Sequence, residues 1–562
     1  MRRHPLAAAA GLALAVLAAL WAGAATAAGA DAFIALQAAR QVERVALPGG
    51  RGEAVLTHLA PAANAWLLLA LPAPDGQGTR QFHLENTDPP RQRITLDPSA
   101  PGTLRITRDG AAMRCTVWPD TALAQAAKSR LPFAPLCDER LYLRNAVQGN
   151  RSALEATTEF LRDHVWGGEQ IIGFVKNEFY RDAFAERAAS APAIVGADTG
   201  ADAPPPGAPP AARLRSGDPA PAIVADGLGL ALTAPGRTLL PGRWVGAAGL
   251  EGVWVSAAPP GALATGLDAV ESAALAYLVA FDLAAFDLGF ALGTDHPRLG
   301  WSPRVVPAQR EANLPGPDGF DKAAPLVRTG MLAPALLPQV IASFTGGFKR
   351  EHSAFSHGPL AAVNHGSHYG FIEQGVVFSR LQPGLATLFV QDDGTVGMAT
   401  WRAEDAQRIG TLRHARQNGM ALVEAGPAGT PVAGRTVEQW GIGNWSGSAD
   451  ERLRTLRAGA CVVEQAGRRF LVYGYFSSAT PRAMARVFLA YGCSYAMHLD
   501  MNALEHTYLA LYPRSGSRLG VEHLVPGMSV LDKSLGATLM PRFLSFPDDR
   551  DFFYLTRRRA PR

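Results

Sequence analysis

Apolar and polar residues alternate in short runs in the first part of the chain, from about residue 31 to residue 118. The clearest apolar runs lie at residues 66–71, 93–96 and 103–107, among Pro, Gly, Asn and Asp. Short runs bounded by such turn residues are typical of β-strands. We therefore expect this region to be rich in β-structure.

The spacing becomes helical from residue 152 to residue 188, where Leu154, Leu161 and Val165 fall on one face of a helix. No catalytic motif is found in this N-terminal half. It is expected to be a carbohydrate-binding or docking module, or else a structural domain without a specialised role.

Residues 196–221 are rich in Pro, Ala and Gly, with prolines at 204–206 and 209–210. Such a composition favours an extended, weakly structured chain. It predicts a linker between an N-terminal domain, residues 31–195, and a C-terminal domain, residues 222–562, which would be separable.

The clearest unit of the C-terminal half is a strand, a helix and a second strand. The strands are predicted at residues 469–475 and 495–499, and the helix begins after Thr480 and ends before Gly492. Strands joined in this way run parallel. Asp500 would then follow the carboxyl end of the second strand, where parallel sheets place ligand sites.

Two further apolar runs, at residues 275–283 and 286–292, predict strands around a turn. The fold class expected for the whole chain is α+β, mixed. It would consist of a β-rich N-terminal module with helices and a C-terminal α/β domain built on a mixed sheet.

The N-terminus predicts export. Arg2 and Arg3 precede an uncharged apolar run at residues 6–21, and Ala25 and Ala27 form a small-x-small cleavage site. Residues 1–27 are therefore interpreted as a signal peptide, the alternative being an uncleaved anchor helix. No later stretch is long and apolar enough to span a membrane, and the mature chain is expected in the periplasm or outside the cell.

The composition excludes some partners. A net charge of +4 without clustered positive charge does not predict nucleic-acid binding. Export makes disulfides plausible, and each half holds two cysteines, so we expect Cys115–Cys137 and Cys461–Cys493. Four buried free thiols are the alternative, and the absence of a CxxC spacing argues against a thiolate zinc site.

Two places in the C-terminal half carry candidate chemistry. Asp500 and Asn502 suit acid/base work, a sugar hydroxyl or a hard cation, although Asp and Asn are also common turn residues. Gly346 and Gly347 would allow close approach by a ligand, and Lys349 offers a positive charge for a phosphate.

Four histidines lie close together, at positions 352, 357, 365 and 368. His365 and His368 have neither the helical spacing nor the acidic neighbour of a typical zinc site. We therefore expect substrate contacts or acid/base work from them. No cofactor is predicted, and a divalent metal is the minor alternative.

Five segments follow one another in the C-terminal half: residues 281–282 with the next strand, 343–348, 416–426 with Trp440 and Gly441, 457–462, and 496–500. In this order they resemble the phosphodiester glycosidase family, which includes the lysosomal uncovering enzyme. Residues 343–348 resemble its Asn-Gly-Gly-Phe turn, 457–462 its Arg-Ser-Gly strand and 496–500 its Leu-Asp motif.

The resemblance covers about residues 275–512 and departs from the family at two places. Thr345 stands where the family commonly has Asn, and Met501 and Asn502 replace the usual Gly-Gly. The chain therefore resembles a divergent member, and specificity for N-acetylglucosamine is not carried over.

The resemblance implies a sugar 1-phosphodiester as substrate. Phosphate is a good leaving group, so the site needs mainly a cation near the phosphate and a carboxylate near the reacting carbon or the attacking water. The implied residues are Asp500, Arg457 and Asn502 for catalysis and Lys349, Gly346, Gly347, His365 and His368 for substrate binding. Arg454 replaces Arg457 if the alignment is shifted by three residues.

Three functions stay open at this point. The first is an exported hydrolase of a sugar 1-phosphodiester or a related envelope glycan linkage. The second is a non-catalytic glycan-binding or envelope-organising protein that retains the fold. The third is a metal-dependent phosphodiesterase that uses the histidines.

Overall fold

The computed structural model describes residues 30–558, apart from 165–181, 191–204, 217–219, 302–306, 350–369, 439–452 and the single positions 38, 74, 120, 188, 235, 311 and 537. The predicted signal peptide, the four clustered histidines, Trp440 and Gly441 lie outside the described residues.

The N-terminal half is β-rich, as predicted, and contains two antiparallel sheets. The first has the order β1-β2-β3-β4-β9-β8, with strands β1 Gln41–Ala46, β2 Glu53–His58, β3 Trp66–Pro72, β4 Thr79–Asn86, β8 Phe133–Leu136 and β9 Leu141–Arg144. The second consists of β5 Gln92–Leu96, β6 Thr103–Arg108 and β7 Ala111–Thr116. The three apolar runs singled out in the sequence form β3, β5 and β6.

Helices are short throughout the described part of the chain. They are α1 Ala30–Ala35, α2 Thr121–Lys128, α3 Ala153–His164, α4 Pro260–Leu263, α5 Ala269–Ala273, α6 Arg435–Glu438 and α7 Pro481–Ala490. The helix predicted up to residue 188 is therefore wrong at its C-terminal end, because residues 182–184 form a turn and Arg187 forms an isolated antiparallel bridge to Ala274. The side chains of Leu154, Leu161 and Val165 lie outside the described part.

The C-terminal half holds three larger sheets. The first, in the order β13-β14-β15-β26-β25-β27-β23-β24, contains β13 Val245–Gly246, β14 Val253–Ala258, β15 Ala276–Asp282, β23 Ala421–Ala425, β24 Pro431–Ala433, β25 Thr455–Gln465, β26 Arg468–Ala479 and β27 Cys493–Met501. The second, in the order β16-β34-β17-β28-β31, contains β16 Phe286–Ala291, β17 Val340–Thr345, β28 Leu509–Leu511, β31 Glu522–His523 and β34 Phe552–Arg557.

The third sheet and several small ones complete this half. The third, in the order β19-β18-β22-β20-β21, contains β18 Phe371–Glu373, β19 Val376–Ser379, β20 Ala386–Gln391, β21 Val396–Thr400 and β22 Leu412–Gln417. The small sheets are formed by β10 Ala189–Ser190, β11 Ile223–Val224 and β12 Thr238–Leu239, by β29 Arg514–Ser515 and β30 Arg518–Leu519, and by β32 Lys533–Leu535 and β33 Thr538–Met540.

The predicted strand-helix-strand unit is present as β26, α7 and β27. The side chain of Thr480 caps α7 by accepting from the Ala483 N–H, and Gly492 has a φ of +76° after the helix. Strands β26 and β27 both pair antiparallel with β25, so they run parallel to each other with β25 between them. All strand ladders in the described part are antiparallel, so the prediction of a mixed sheet is wrong. The reason is that β25, which forms a hairpin with β26, lies between the two parallel strands β26 and β27 and pairs antiparallel with both.

The largest apolar core joins the two halves of the chain. It surrounds the C-terminal sheets and includes from the N-terminal half Phe33, Leu59, Ala65, Trp66 and Leu68. The ring of Phe33 lies 5.0 Å from that of Phe320, and the ring of Trp66 lies 5.9 Å from that of Phe378. A second core lies wholly within the N-terminal half and includes Leu123 and Ala126 of helix α2.

The described part of the predicted linker lies against the C-terminal half. Ala212 N donates to Gly242 O at 2.9 Å, and Arg213 N donates to Ala490 O at 2.8 Å. The indole of Trp244 donates to Pro210 O at 2.8 Å. The composition predicts a weakly structured chain, but these hydrogen bonds hold the segment in place.

Both predicted disulfides are confirmed. They link Cys115 to Cys137 and Cys461 to Cys493, and they fit an exported protein. In the described part of the chain, no helix combines the length and the apolar character needed to cross a membrane.

Candidate functional site

Four consecutive charged residues, Asp548, Asp549, Arg550 and Asp551, lie immediately before strand β34. All four are buried, with at most 4 % of each residue exposed. Buried charges are stable only when they are paired, and each of these has a different partner. This segment is the centre of a buried region that is rich in charged side chains.

The backbone of this segment is held by glycines from distant parts of the chain. A Cβ on Gly330 would lie 1.9 Å from Asp548 O, and one on Gly293 would lie 2.1 Å from Asp549 O. Neither distance is possible for a real Cβ atom. The Asp549 N–H also donates to Asn150 O at 3.1 Å. The segment is therefore fixed from several sides.

Arg550 connects the strand β27 to the helix α3. Its guanidinium contacts Asp500 Oδ2 and donates to Glu155 Oε1 at 2.5 Å. His506 Nε2 lies 3.0 Å from the same guanidinium. Burial lowers the pKa of Arg550, but the negative charges of Asp500 and Glu155 more than offset this and raise it well above its usual value.

Lys349 is a second fully buried cation, and several carboxylates surround its Nζ. The distances are 2.6 Å to Glu159, 3.0 Å to Glu155, 3.2 Å to Asp549 and 3.6 Å to Asp295. Burial lowers the pKa of Lys349, but Glu155 and Asp549 raise it above its ordinary value. We call the group formed by Glu155, Glu159, Lys349, Asp500, Asp549 and Arg550 the charged centre.

The charged centre contains more carboxylates than cations, and two of them have opposite pKa shifts. Burial raises the pKa of Asp549 to about 6, with a further contribution from the charge of Glu155. Burial also acts to raise the pKa of Glu155, but Arg550, His506 and Lys349 hold it well below its usual value. Carboxyl groups separated in this way are typical of acid/base sites.

Helix α3 brings the N-terminal half into the charged centre. Glu155 and Glu159 stand one turn apart on the helix, and they are its buried side chains among those described. Ser152 Oγ accepts from the Glu155 N–H at 3.0 Å and so caps the helix. The predicted division into an N-terminal and a C-terminal domain therefore does not separate the site from the N-terminal half.

Asp500 lies at the end of strand β27, within the strand rather than after it. Its Oδ1 accepts from the Met501 N–H at 2.8 Å, and its Oδ2 contacts Arg550. Asp500 and Lys349 are thus brought into one cluster, with Glu155 and Arg550 between them. Their catalytic and binding roles stay predictions.

Arg457 lies on the strand next to that of Asp500 but has other hydrogen-bond partners. It lies directly opposite Met501 in the β25–β27 ladder, and its Nη1 is 3.4 Å from Met501 Sδ. The ladder shifts register directly after this pair, which marks a β-bulge or irregularity, and Arg457 Nη2 donates to Leu453 O at 3.1 Å. Arg457 Nε also donates to Ala479 O at 2.8 Å, and burial lowers the pKa of Arg457 to about 9.

Asn502 and Arg454 serve local structure. Asn502 has a φ of +77°, and its side chain accepts from the Thr455 hydroxyl at 3.1 Å, as expected of a turn residue. Arg454 forms ion pairs with Asp182, at 2.9 Å, and with Asp268. Neither has a described contact with the charged centre.

Gly346 and Gly347 permit a close approach, but the groups that approach them are side chains of the same protein and not a ligand. A Cβ on Gly346 would lie 2.3 Å from Asp551 Oδ2, and one on Gly347 would lie 2.8 Å from Arg416 Nη1. Arg416 Nε in turn donates to Asp551 Oδ2 at 2.8 Å. The glycine pair therefore packs against this ion pair next to the charged centre. His365 and His368 lie outside the described residues.

Sequence reasoning missed Glu155, Asp549 and Arg550. The sequence did contain a signal for Asp549 and Arg550, namely the run of four charged residues 548–551 just before an apolar strand. A charged segment beside a buried strand requires partners inside the protein. The two glutamates of α3, four residues apart, were a weaker signal. In the described part of the chain, no group of His, Cys, Asp and Glu is arranged to hold a metal ion.

No protein-family model matches the chain, and no curated protein matches it. Among solved structures, the catalytic domain of zebrafish N-acetylglucosamine-1-phosphodiester α-N-acetylglucosaminidase, auto-inhibited by its pro-peptide, has a TM-score of 0.30 at 10 % identity, covering 56 % of this chain and 85 % of that one.

Two other solved structures cover more of the chain. A hypothetical protein from Synechocystis has a TM-score of 0.31 at 10 % identity, over 92 % of this chain and 98 % of its own. A Burkholderia pseudomallei protein that is described by its name as exported has a TM-score of 0.18 at 10 % identity, covering 87 % of this chain and 96 % of its own. At TM-scores of 0.18 to 0.31, these likenesses carry no argument about fold or activity.

Proposed function

We propose that this chain is an exported hydrolase that cleaves a sugar 1-phosphodiester or a related envelope glycan linkage at the charged centre. The observation that supports this most is the burial of two cations, Lys349 and Arg550, among carboxylates of which Asp549 has a raised pKa. A phosphodiester needs cations near its phosphate, and cleavage at the anomeric carbon needs a carboxylate nearby.

Arg550 takes the role that the sequence assigned to Arg457. Its planar guanidinium suits two phosphate oxygens at once, and Lys349 adds a second positive charge. Asp500 contacts the guanidinium and so positions it. The two disulfides are consistent with a protein that acts in the cell envelope, where such a substrate would be found.

The test is turnover of synthetic 1-phosphodiesters of glucose and N-acetylglucosamine by the full mature chain and by Arg550→Lys. The variant keeps the charge but loses the bidentate geometry, so kcat/KM should fall about a hundredfold or more. The matched control is Arg558→Lys, which changes an exposed arginine paired with Asp287. Equal rates for Arg550→Lys and the wild type would contradict the proposed site.

One observation favours a second candidate, a glycan-binding or envelope-organising protein without catalysis. Both cations are already paired with carboxylates of the same chain, namely Glu155, Glu159 and Asp500. A site saturated in this way has no free positive charge to offer a phosphate. Glycan binding measured by calorimetry, with no turnover of either phosphodiester, would support this candidate.

A metal-dependent phosphodiesterase stays a prediction, because the four histidines between residues 352 and 368 lie outside the described part. Metal analysis of the purified protein tests it directly.

A further inference from the structure

Asp549 and Glu155 are the two carboxylates of the charged centre that each have one buried oxygen without a hydrogen-bond partner among the described residues, but Glu155 Oε2 lies 3.7 Å from His506 Nε2. In Asp549, Oδ2 lies 3.2 Å from Lys349 Nζ, whereas Oδ1 is buried and has no hydrogen-bond partner among the described residues. By contrast, both oxygens of Asp500 accept hydrogen bonds, and those of Glu159 contact Lys349 and Arg151. A buried carboxylate oxygen without a partner is costly and points to a function.

The position of Asp549 is fixed, although one of its oxygens is unpaired. Its N–H donates to Asn150 O at 3.1 Å, and its carbonyl accepts from the Asp295 N–H at 3.2 Å. Gly293 packs so closely on this carbonyl that no side chain fits there. Catalytic groups act best when the surrounding structure holds them in place before the substrate binds.

We propose that Asp549, and not Asp500, is the carboxylate that accepts a proton from the attacking water. This inference rests on the proposed function. The water oxygen bonds to the anomeric carbon while one water proton moves to Oδ1 of Asp549. The bond between the anomeric carbon and the phosphate oxygen breaks, and its electron pair stays on the departing phosphate monoester. The carboxyl then releases the proton to solvent.

The charges around Asp549 suit this role. They are those of Lys349 after β17, Glu155 and Glu159 on α3, Asp295 after β16, and Asp548 and Arg550 in its own segment. Burial and the charge of Glu155 raise the pKa of Asp549 to about 6, in spite of Lys349. A base of this pKa is ionised at neutral pH and still accepts a proton effectively.

A titration without substrate tests the proton-accepting group itself. Infrared difference spectra of the full mature chain between about pH 4 and pH 8 should show a carboxyl that ionises well above the ordinary range. The signal near pH 6 should be absent in Asp549→Asn and present in Asp500→Asn, whereas Glu373, whose pKa burial raises to about 8, should titrate in both variants. The inference is wrong if the signal persists in Asp549→Asn or disappears in Asp500→Asn.

The pH dependence of turnover tests the catalytic role. With the sugar 1-phosphodiesters, kcat/KM of the wild type should fall below about pH 6. Asp549→Asn should lose this acidic limb and about a hundredfold or more of the rate, whereas Asp500→Asn should keep the limb. Sodium formate should restore part of the activity of Asp549→Ala, because it supplies a carboxylate. An acidic limb that persists in Asp549→Asn overturns the inference.

A second variant serves if the Asp549 substitutions do not fold. Glu155→Gln removes a charge that raises the pKa of Asp549, so the infrared signal should move to lower pH. A signal that stays in place would contradict the assignment to Asp549. If no protein hydrolyses either substrate, the proposed function fails, while the infrared titration still decides whether Asp549 carries the proton.

Discussion

At the scale of single residues, the charged centre depends on Arg550. This side chain neutralises Asp500 from strand β27 and Glu155 from α3, which are far apart in sequence. Truncating one partner of a buried ion pair leaves the other charges without compensation, and this costs more than the pair contributes. Arg550 therefore matters for folding as well as for the proposed chemistry.

Arg550→Met should reduce the free energy of unfolding by about 3–5 kcal/mol, because two buried carboxylates lose their cation. Arg558→Met, which breaks the exposed pair with Asp287, should change it by less than about 1 kcal/mol. Urea unfolding of both variants followed by circular dichroism measures the difference. Equal losses would show that the buried pairs do not hold the segment in place.

The pKa of Asp549 also predicts a pH dependence of stability. Its pKa is raised to about 6 in the folded chain from an unfolded value of about 4. The stabilisation it provides is therefore complete below about pH 4 and is lost as the pH rises to about 6.

Asp549→Asn cannot titrate, so its free energy of unfolding should rise relative to the wild type between about pH 4 and pH 6. Chemical denaturation at several pH values measures this difference. Asp287→Asn, an exposed carboxylate paired with Arg558, is the control and should run parallel to the wild type. A constant difference between Asp549→Asn and the wild type would contradict the raised pKa.

At the scale of elements, the two helices α3 and α7 are held in different ways. α7 buries an apolar face that includes Met484, Val487 and Phe488. α3 instead buries Glu155 and Glu159 against Lys349 and Arg550, so its attachment in the described part is electrostatic. Salt screens buried ion pairs only weakly, but removing one partner of such a pair is strongly destabilising.

The double variant Glu155→Gln, Glu159→Gln should loosen α3 without loosening α7. Amide hydrogen exchange should become about tenfold faster or more in α3, because local opening costs less once the ion pairs are lost. Exchange in α7 should be unchanged, which provides an internal control. Unchanged protection in α3 would mean that contacts other than these ion pairs hold it.

At the scale of the whole molecule, the two halves share structure that the sequence appeared to separate. The large core includes Phe33 and Trp66 with C-terminal residues, and strand β10 pairs with β11 across the predicted linker. The Pro-rich composition predicts a free tether, since such chains have little apolar surface to bury. Residues 205–216 are instead held against the C-terminal half by backbone hydrogen bonds.

We therefore expect a fragment beginning at residue 218 to be unstable, although the linker composition alone predicts an independent domain. It would expose the apolar surface that Phe33 and Trp66 cover and would leave Lys349 and Arg550 without Glu155. Size-exclusion chromatography and thermal unfolding should show aggregation or a lower Tm than that of the mature chain. A monodisperse fragment with the same Tm would show that the halves fold independently.

Local sequence determined much of this protein. The apolar runs of β3, β5 and β6, the cap of α7 by Thr480, and the two disulfides follow from spacing and residue type. The strands and the helix cap depend on neighbouring residues, and four cysteines allow only three pairings, so the sequence is sufficient to predict these features.

Only the tertiary structure decided which charges meet. Arg457 and Asp500 lie on adjacent strands, yet Asp500 contacts Arg550 and Arg457 contacts Met501 Sδ and Ala479 O. Arg550 meets Glu155 across 395 positions of sequence. A single sequence does not specify such pairings, because a buried charge requires only some partner of opposite sign, and the packing of distant elements determines which one it obtains.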